Sequence, residues 1–501
     1  MKTKRTELAA SFIAAVLAVS ASASALASCG ESSDGVTPAS NNPETAAADE
    51  IVTEGETTES FDPGLPEMDY GGANFTILTK GVSAYNEWGE VSIWTESENG
   101  EVLNDAIYDR NRDIEEAYNI KIVEYQSGSP ANDTKKSVSA GDNAYQIVMP
   151  AFGDSGSLAS NGFLVDLFGV NYVDLSKKWW DQRSISDLTI GGHLFFVGSD
   201  ISNLNNDATW CTMFNKSMIT DFNDPSPYDL VAENKWTFDN YYASYQNIYQ
   251  DLDGDGKAGA YDCYANLTQN ENYNAYYLGT GERLIAKDAD DLPVIALGVS
   301  EKSANIIESL NRIMNDTFFS LNYHNYGSLG YHLWTTQMFE ESRGLFWITN
   351  LQIVIRLRDL ETPFGIVPVP KYSESQEHYS NVVWTVGSYV AVPKSSDDME
   401  RTGIILEAMA AKSTEVLRPA YFDRALTGKY LRDEESNEQL DIIVGERIYD
   451  LGLAFDFGGI SGVLQSIMAK NSNDIASAMA KKEGNIQKAI DKVVTAFDEN
   501  T

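Results

Sequence analysis

The chain of 501 residues is poor in positive charge: 36 Lys and Arg stand against 74 Asp and Glu, for a formal net charge of −38. So acidic a surface repels phosphate backbones and anionic headgroups, which excludes nucleic acid and anionic lipid as electrostatic partners. Histidine is scarce too. The four present, His193, His324, His332 and His378, fall in no catalytic or zinc-ligating spacing, and neither His-Glu-x-x-His nor a Gly-x-Ser-x-Gly elbow occurs. Cysteine is limited to Cys29, Cys211 and Cys263. That is no metal-ligand pattern, and the last two leave one disulfide or two buried thiols equally open. After the first 28 residues no run of 18 or more apolar residues appears, so nothing there is expected to span a membrane. Internal repeats are lacking, which weakens a scaffold or adhesion role.

What is there begins with a basic start (Lys2, Lys4, Arg5), an apolar run around Phe12 to Val19, and small residues leading to Leu26-Ala27-Ser28-Cys29. Residues 1–28 read as an export signal that takes no part in the fold. The stretch resembles the bacterial lipoprotein signal, and the resemblance implies lipidation of Cys29, holding the protein on the extracellular face of the cytoplasmic membrane. An ordinary secretory cleavage, with Cys29 incidental, is the plainer alternative. Residues 29–65 are expected to be a disordered acidic linker. No Lys or Arg occurs between Arg5 and Lys80, and the first aromatic residue after Cys29 is Phe61, so the segment buries too little apolar surface to offset its ordering entropy. A linker of about 34 residues reaches on the order of 30 Å.

The rest is long enough for two lobes, with 43% of the chain hydrophobic. Asn74 to Thr79 reads as a strand, Val102 to Tyr118 as a helix with Leu103, Ile107, Ile114 and Tyr118 at helical spacing, and Ile120 to Tyr125 as a second strand. Strand, helix, strand predicts a parallel pair. Tyr145 to Pro150 is expected to be a third strand, leading into a glycine-rich turn, Gly153-Asp154-Ser155-Gly156-Ser157, where ligands commonly touch such folds. This is no phosphate loop, because Gly-Lys-Ser/Thr is absent. Asp187 to Val197 is expected to form a hairpin closing at Gly191-Gly192. Cys211 to Asn215 reads as a strand from which Lys216 opens a helix. Thr237 suits an N-cap for a helix whose Phe238, Tyr241, Tyr242, Tyr245, Ile248 and Tyr249 share one face.

The order of these pieces, from Asp187-Leu188 through Thr189-Ile190-Gly191-Gly192 and Phe214-Asn215-Lys216 to Lys235-Trp236-Thr237-Phe238-Asp239, is similar to extracellular solute-binding proteins (family 1) of ABC-type sugar importers. Arg343 to Ile348 resembles the strand where that family places a cleft aromatic. Phe364 to Lys371 resembles its crossing back to the first lobe, which Pro368 and Pro370 suit by fixing extended backbone. Trp384 to Val392 is then a returning strand and residues 400–412 the helix behind it. Lys429 to Gly452 is similar to a subgroup of Gram-positive sugar-binding lipoproteins, with Asp433 to Ser436 capping a helix through Leu440 and Ile443. The resemblance implies an α/β, two-lobed periplasmic-binding-protein-like fold of type II, each lobe a mostly parallel sheet flanked by helices, joined by hinge crossings. Lobe 1 would comprise residues 66–195 and 362–415, and lobe 2 residues 196–361 and 416–501.

In Asp251-Leu252-Asp253-Gly254-Asp255-Gly256-Lys257 and on to Asp262, carboxylates at positions 1, 3, 5 and 12 and the Lys257 carbonyl at 7 have the spacing of a calcium loop. Position 12 is Asp where such loops have Glu, so one structural Ca2+ is expected with a shortened last ligand. No organic cofactor is implied.

Two lobes imply a cleft, and a sugar there would stack on indole while Asp and Asn take its hydroxyls. By position relative to the family, the candidates are Trp179, Trp180, Trp210, Trp347 and Trp384, with Asp154, Asp181 and Asp207 for polar contacts. Core is the plainer role for each ring. The Trp179-Trp180 pair stands out, since adjacent side chains in extended chain point opposite ways. The reading that follows is a non-enzymatic, lipid-anchored receptor that captures a small solute, most plausibly a sugar or oligosaccharide, and hands it to ABC permease subunits. A secreted carbohydrate-active hydrolase using a carboxylate pair is the competing class.

Overall fold

The computed structural model describes residues 61–82, 88–329, 331–357, 360–426 and 434–500. The export signal, Cys29 and most of the acidic linker lie outside the described residues, as does Asp433. Residues 61–65, which the sequence assigned to the linker, belong to the folded body: Lys178 Nζ stands 4.0 Å over the Phe61 ring and Leu65 packs on the core.

Ala73–Lys80 (β1) and Ile120–Ser127 (β2) flank the helix Val102–Tyr118 and pair in parallel, as strand–helix–strand requires. The helix starts where the Glu101 carboxylate accepts from the Asn104 N–H at 2.8 Å, buries Leu103, Ile107 and Ile114, and stops at left-handed Asn119. Ile147–Val148 (β3) joins the other edge of β1, giving the order β2-β1-β3. The expected glycine-rich turn is instead the helix Phe152–Ser160. Its glycine serves packing: a Cβ on Gly156 would lie 2.2 Å from the Ala454 carbonyl oxygen of the facing helix Leu451–Phe455. Of the expected hairpin only the tip exists, Ile190 bridging His193, because Asp187 and Leu188 end the helix Gln182–Leu188.

The second sheet holds Trp210–Asn215 (β4), Tyr264–Thr268 (β5), Ser320–Asn322 (β8), Gly344–Asn350 (β9) and Phe364–Val367 (β10) in the order β10-β4-β9-β5-β8. Ile285–Lys287 (β6) and Pro293–Ile295 (β7) form a separate hairpin. The sheet is mixed and not mostly parallel: β5 runs parallel to β8 and β9, but β4 is antiparallel to both β9 and β10. The chain enters β4 straight from the first sheet's side, without the helical crossover that forces parallel pairing. Pairing with β4 also places 364–367 in the second sheet, whereas residues 362–415 were expected in the first lobe. The crossing begins where Pro368 and Pro370 cannot donate to a ladder.

The returning chain is Asn381–Val382 (β11), parallel to Arg447–Ile448 (β12). It then bridges Thr209 through Val383, Val197 through Val390, and Val148 through Ala391. The C-terminal segment differs from its expected place in lobe 2. Leu451–Phe455 and Glu483–Glu499 pack on Phe152–Ser160, with the Phe195 and Phe497 rings 4.5 Å apart, so their apolar faces are buried on the first lobe. One contiguous apolar core runs past the crossing, and a second lies on the other face of the second sheet around Leu267, Phe339 and Leu440. Cys211 and Cys263 are buried free thiols.

Candidate functional site

The crossing between the sheets is where polar groups collect. Lys177 accepts from the Trp180 N–H at 3.1 Å, so the chain here turns and is not extended as the sequence reading assumed. Both indoles therefore bury on the same side. Trp179 Nε1 donates to Glu407 Oε1 at 2.9 Å and Trp180 Nε1 to Glu407 Oε2 at 3.0 Å. Glu407, on the helix Met399–Leu426, is 1% exposed. Burial raises its pKa to about 7 against the pull of the two indoles.

Asp181 follows directly and caps the helix Gln182–Leu188 by accepting from the Ser184 N–H at 3.0 Å. The same carboxylate accepts from Tyr449 Oη at 2.6 Å and pairs with Arg447 at 2.8 Å. Arg447 also donates to the Asn206 side chain, so one guanidinium ties β12 to the turn Leu204–Asp207. Asp200 accepts from Thr414 Oγ1 at 2.7 Å, and burial raises its pKa. Among these groups lies a cavity of about 290 Å³, lined by Trp179, Trp180, Asp181, Arg418, Val444 and Arg447.

Asn205 also lines this cavity, and its side-chain oxygen and nitrogen are both unpartnered among the described residues, though the residue is only 2% exposed. Arg447 Nε is in the same condition. A buried amide without partners is costly, and Asn205 carries that cost at the edge of the cavity. Gly387 makes room for the amide, since a Cβ there would stand 2.6 Å from Asn205 Oδ1.

Of the sequence candidates, Trp179, Trp180 and Asp181 meet at the cavity. Asp207 is beside it in the chain and accepts from Tyr421 Oη at 3.0 Å. Trp210 and Trp384 stack edge to face at 5.8 Å where β4 leaves the crossing, Trp210 with a buried Nε1 that has no partner among the described residues and Trp384 half-buried. The remaining two lie elsewhere: Trp347 is core, against Phe339 and between Met213 and Leu267 across the strands, and Asp154 is exposed on the first turn of its helix. Sequence reasoning missed Asp200, Asn205, Arg418, Arg447 and Glu407. The available signal was an arginine among apolar neighbours in a chain with few cations, and the amide run Asn203 to Asn206.

In the Asp-rich loop, Asp251, Asp253 and Asp255 bring carboxylate oxygens within 4.8 Å of one another on the surface. Asp251 accepts from the Gly254 and Gly256 N–H groups at 2.7 and 2.9 Å, and the Lys257 N–H donates to Asp255 at 2.8 Å. Asp262 does not join them. It is buried, accepting from the Leu252 N–H at 3.0 Å, the Gly259 N–H at 2.8 Å and Tyr249 Oη at 3.2 Å, so it closes the base of the loop.

No protein-family model matches the chain, and no curated protein matches it by sequence. Solved structures do match. An ABC substrate-binding protein from Listeria monocytogenes in complex with cycloalternan has a TM-score of 0.54 at 11% identity, covering 84% of this chain and 99% of that one. The cyclic alpha-maltosyl-1,6-maltose binding protein from Arthrobacter globiformis gives 0.53 at 16% identity, over 86% and 99%. The fold is that of ABC substrate-binding proteins. A third example, the ABC transporter associated binding protein from B. animalis subsp. lactis in complex with beta-1,6-galactobiose, gives 0.51 at 14% identity, over 84% and 98%. Two lobes joined by crossings are thus the architecture of this substrate-binding fold, and the cavity lies at its crossing.

Proposed function

We propose that the protein captures a small sugar or oligosaccharide at the interlobe crossing and delivers it to ABC permease subunits, without chemical change to the ligand. The observation that carries this reading is the cavity lined by Trp179, Trp180 and Asn205, the Asn205 amide being buried and unpartnered among the described residues, inside a fold shared with proteins solved in complex with saccharides. Indole rings and amide groups suit a ligand ring with apolar faces and hydroxyl rims. Its volume is at the small end of the range of about 300–1,000 Å³ usual for ligand pockets, which suits one or two sugar rings. The lobes would close on ligand by hinge motion, since only the closed form lets ligand touch both sides.

Lipidation of Cys29 belongs to the same proposal, because a tether keeps a receptor at high effective concentration beside its permease. So does a calcium ion on Asp251, Asp253 and Asp255, with the expected Asp262 left out of its ligands and the ion's role confined to stiffening the loop. Titration calorimetry against a panel of neutral and acidic mono- and oligosaccharides, with chromatography of each mixture, tests the function. Stoichiometric binding with the sugar recovered intact is expected. Release of a cleaved product would instead assign the protein to the carbohydrate-active hydrolases.

A further inference from the structure

The charge of the cavity runs against that of the chain. Four of its lining residues are cationic, Lys178, Arg183, Arg418 and Arg447, and two are anionic, Asp181 and Asp200, whereas acids outnumber cations 74 to 36 over the whole sequence. Three of the cations are committed, Arg447 to Asp181 at 2.8 Å, Arg183 to Glu446 at 3.1 Å and Lys178 over the Phe61 ring at 4.0 Å. Arg418 is held less closely. It reaches Asp200 only at 4.0 Å, the outer limit of an ion pair, its side chain is 48% exposed, and Asp200 is meanwhile engaged by Thr414 at 2.7 Å. A guanidinium presents five donors in a fork that fits a carboxylate or phosphate. On a surface that elsewhere repels anions, a concave cationic spot focuses the field on them.

A neutral sugar would satisfy Asn205 and, among the described residues, leave Arg418 with only its long ion pair to Asp200. We propose that the cavity selects an acidic saccharide, a sugar bearing one carboxylate or phosphate, with the anion docked on Arg418 beside Arg447 and the hydroxyls bonded to the Asn205 amide. The inference rests on the reading of the protein as a sugar receptor and narrows its ligand. Arg418 and Asn205 both line this cavity of about 290 Å³, so one small ligand can meet them together.

The test is calorimetry of the full chain with glucose, glucuronate and glucose 6-phosphate, and with maltose as a second neutral sugar. At least one acid is expected to bind about tenfold or more tightly than glucose, with the gap shrinking as salt is raised. The stronger of the two acids tells carboxylate from phosphate. Arg418→Gln, at a half-exposed position, is expected to fold normally and to bring the acid's affinity down toward that of glucose. Neutral sugars binding as tightly as the acids, or a preference that survives Arg418→Gln, would overturn the selectivity while leaving the sugar receptor in place. Silence toward all four sugars and toward a wider neutral panel would contradict the receptor reading, and the selectivity with it.

Discussion

Glu407 is a carboxylate held out of water by two indole N–H groups, and its protonation is linked to stability. Its folded pKa of about 7 lies above its ordinary 4.5 because burial disfavours the charge. Between those values the folded protein keeps a proton that the unfolded chain releases, so this group's contribution is full below pH 4.5 and is lost as pH rises through 7. Urea denaturation of Glu407→Gln across that range is expected to show a flatter pH profile than wild type. The variant is also expected to lose about 1–3 kcal/mol, because the amide nitrogen leaves one buried indole N–H without an acceptor. A profile as steep as wild type's would assign the slope to other groups. The tryptophan pair was legible as a pair in the sequence, but its partner stands 228 residues away, beyond any periodicity. Arg447 and Asp181 are likewise joined only by the fold.

At the scale of elements, local pattern carried far and nonlocal pairing did not. The helix Val102–Tyr118 and its flanking strands follow from spacing and caps within some twenty residues. Phe152–Ser160 was misread because its glycine and serines suggest a turn, whereas Gly156 answers a helix that arrives three hundred residues later. Gly156→Ala is accordingly expected to destabilise by about 1–3 kcal/mol, since backbone at 2.2 Å must move. Chemical denaturation measures it, and an unchanged midpoint would mean the two helices do not meet so closely. β10 was assigned to the wrong lobe because only its partner β4 decides where it belongs. In the Asp-rich loop, calcium is expected to raise the melting temperature of wild type and not of Asp253→Ala. A melting temperature indifferent to calcium and chelator in wild type would remove the ion from the account. Asp262→Ala is expected to destabilise with or without calcium, because two backbone N–H groups lose their acceptor.

Over the whole molecule, the three-stranded and five-stranded sheets are joined by crossings, and a contiguous apolar core runs past them. The two-lobed architecture was legible because its crossings carry marks such as Pro368 and Pro370. The cavity was not, because its walls come from four separated stretches, 178–183, 199–205, residue 418 and 444–447. A ligand that binds only the folded form is expected to stabilise it by about 2.7 kcal/mol at a hundredfold excess over Kd, seen as a higher melting temperature. The most direct test of the site compares wild type with Asn205→Ala in calorimetric titrations with the saccharide that binds best. The Asn205 amide makes no hydrogen bond to the described residues, so its loss breaks none of their hydrogen bonds. The account predicts one sugar bound per chain in wild type and an affinity weaker by about tenfold or more in the variant; equal affinity in a correctly folded variant would contradict it.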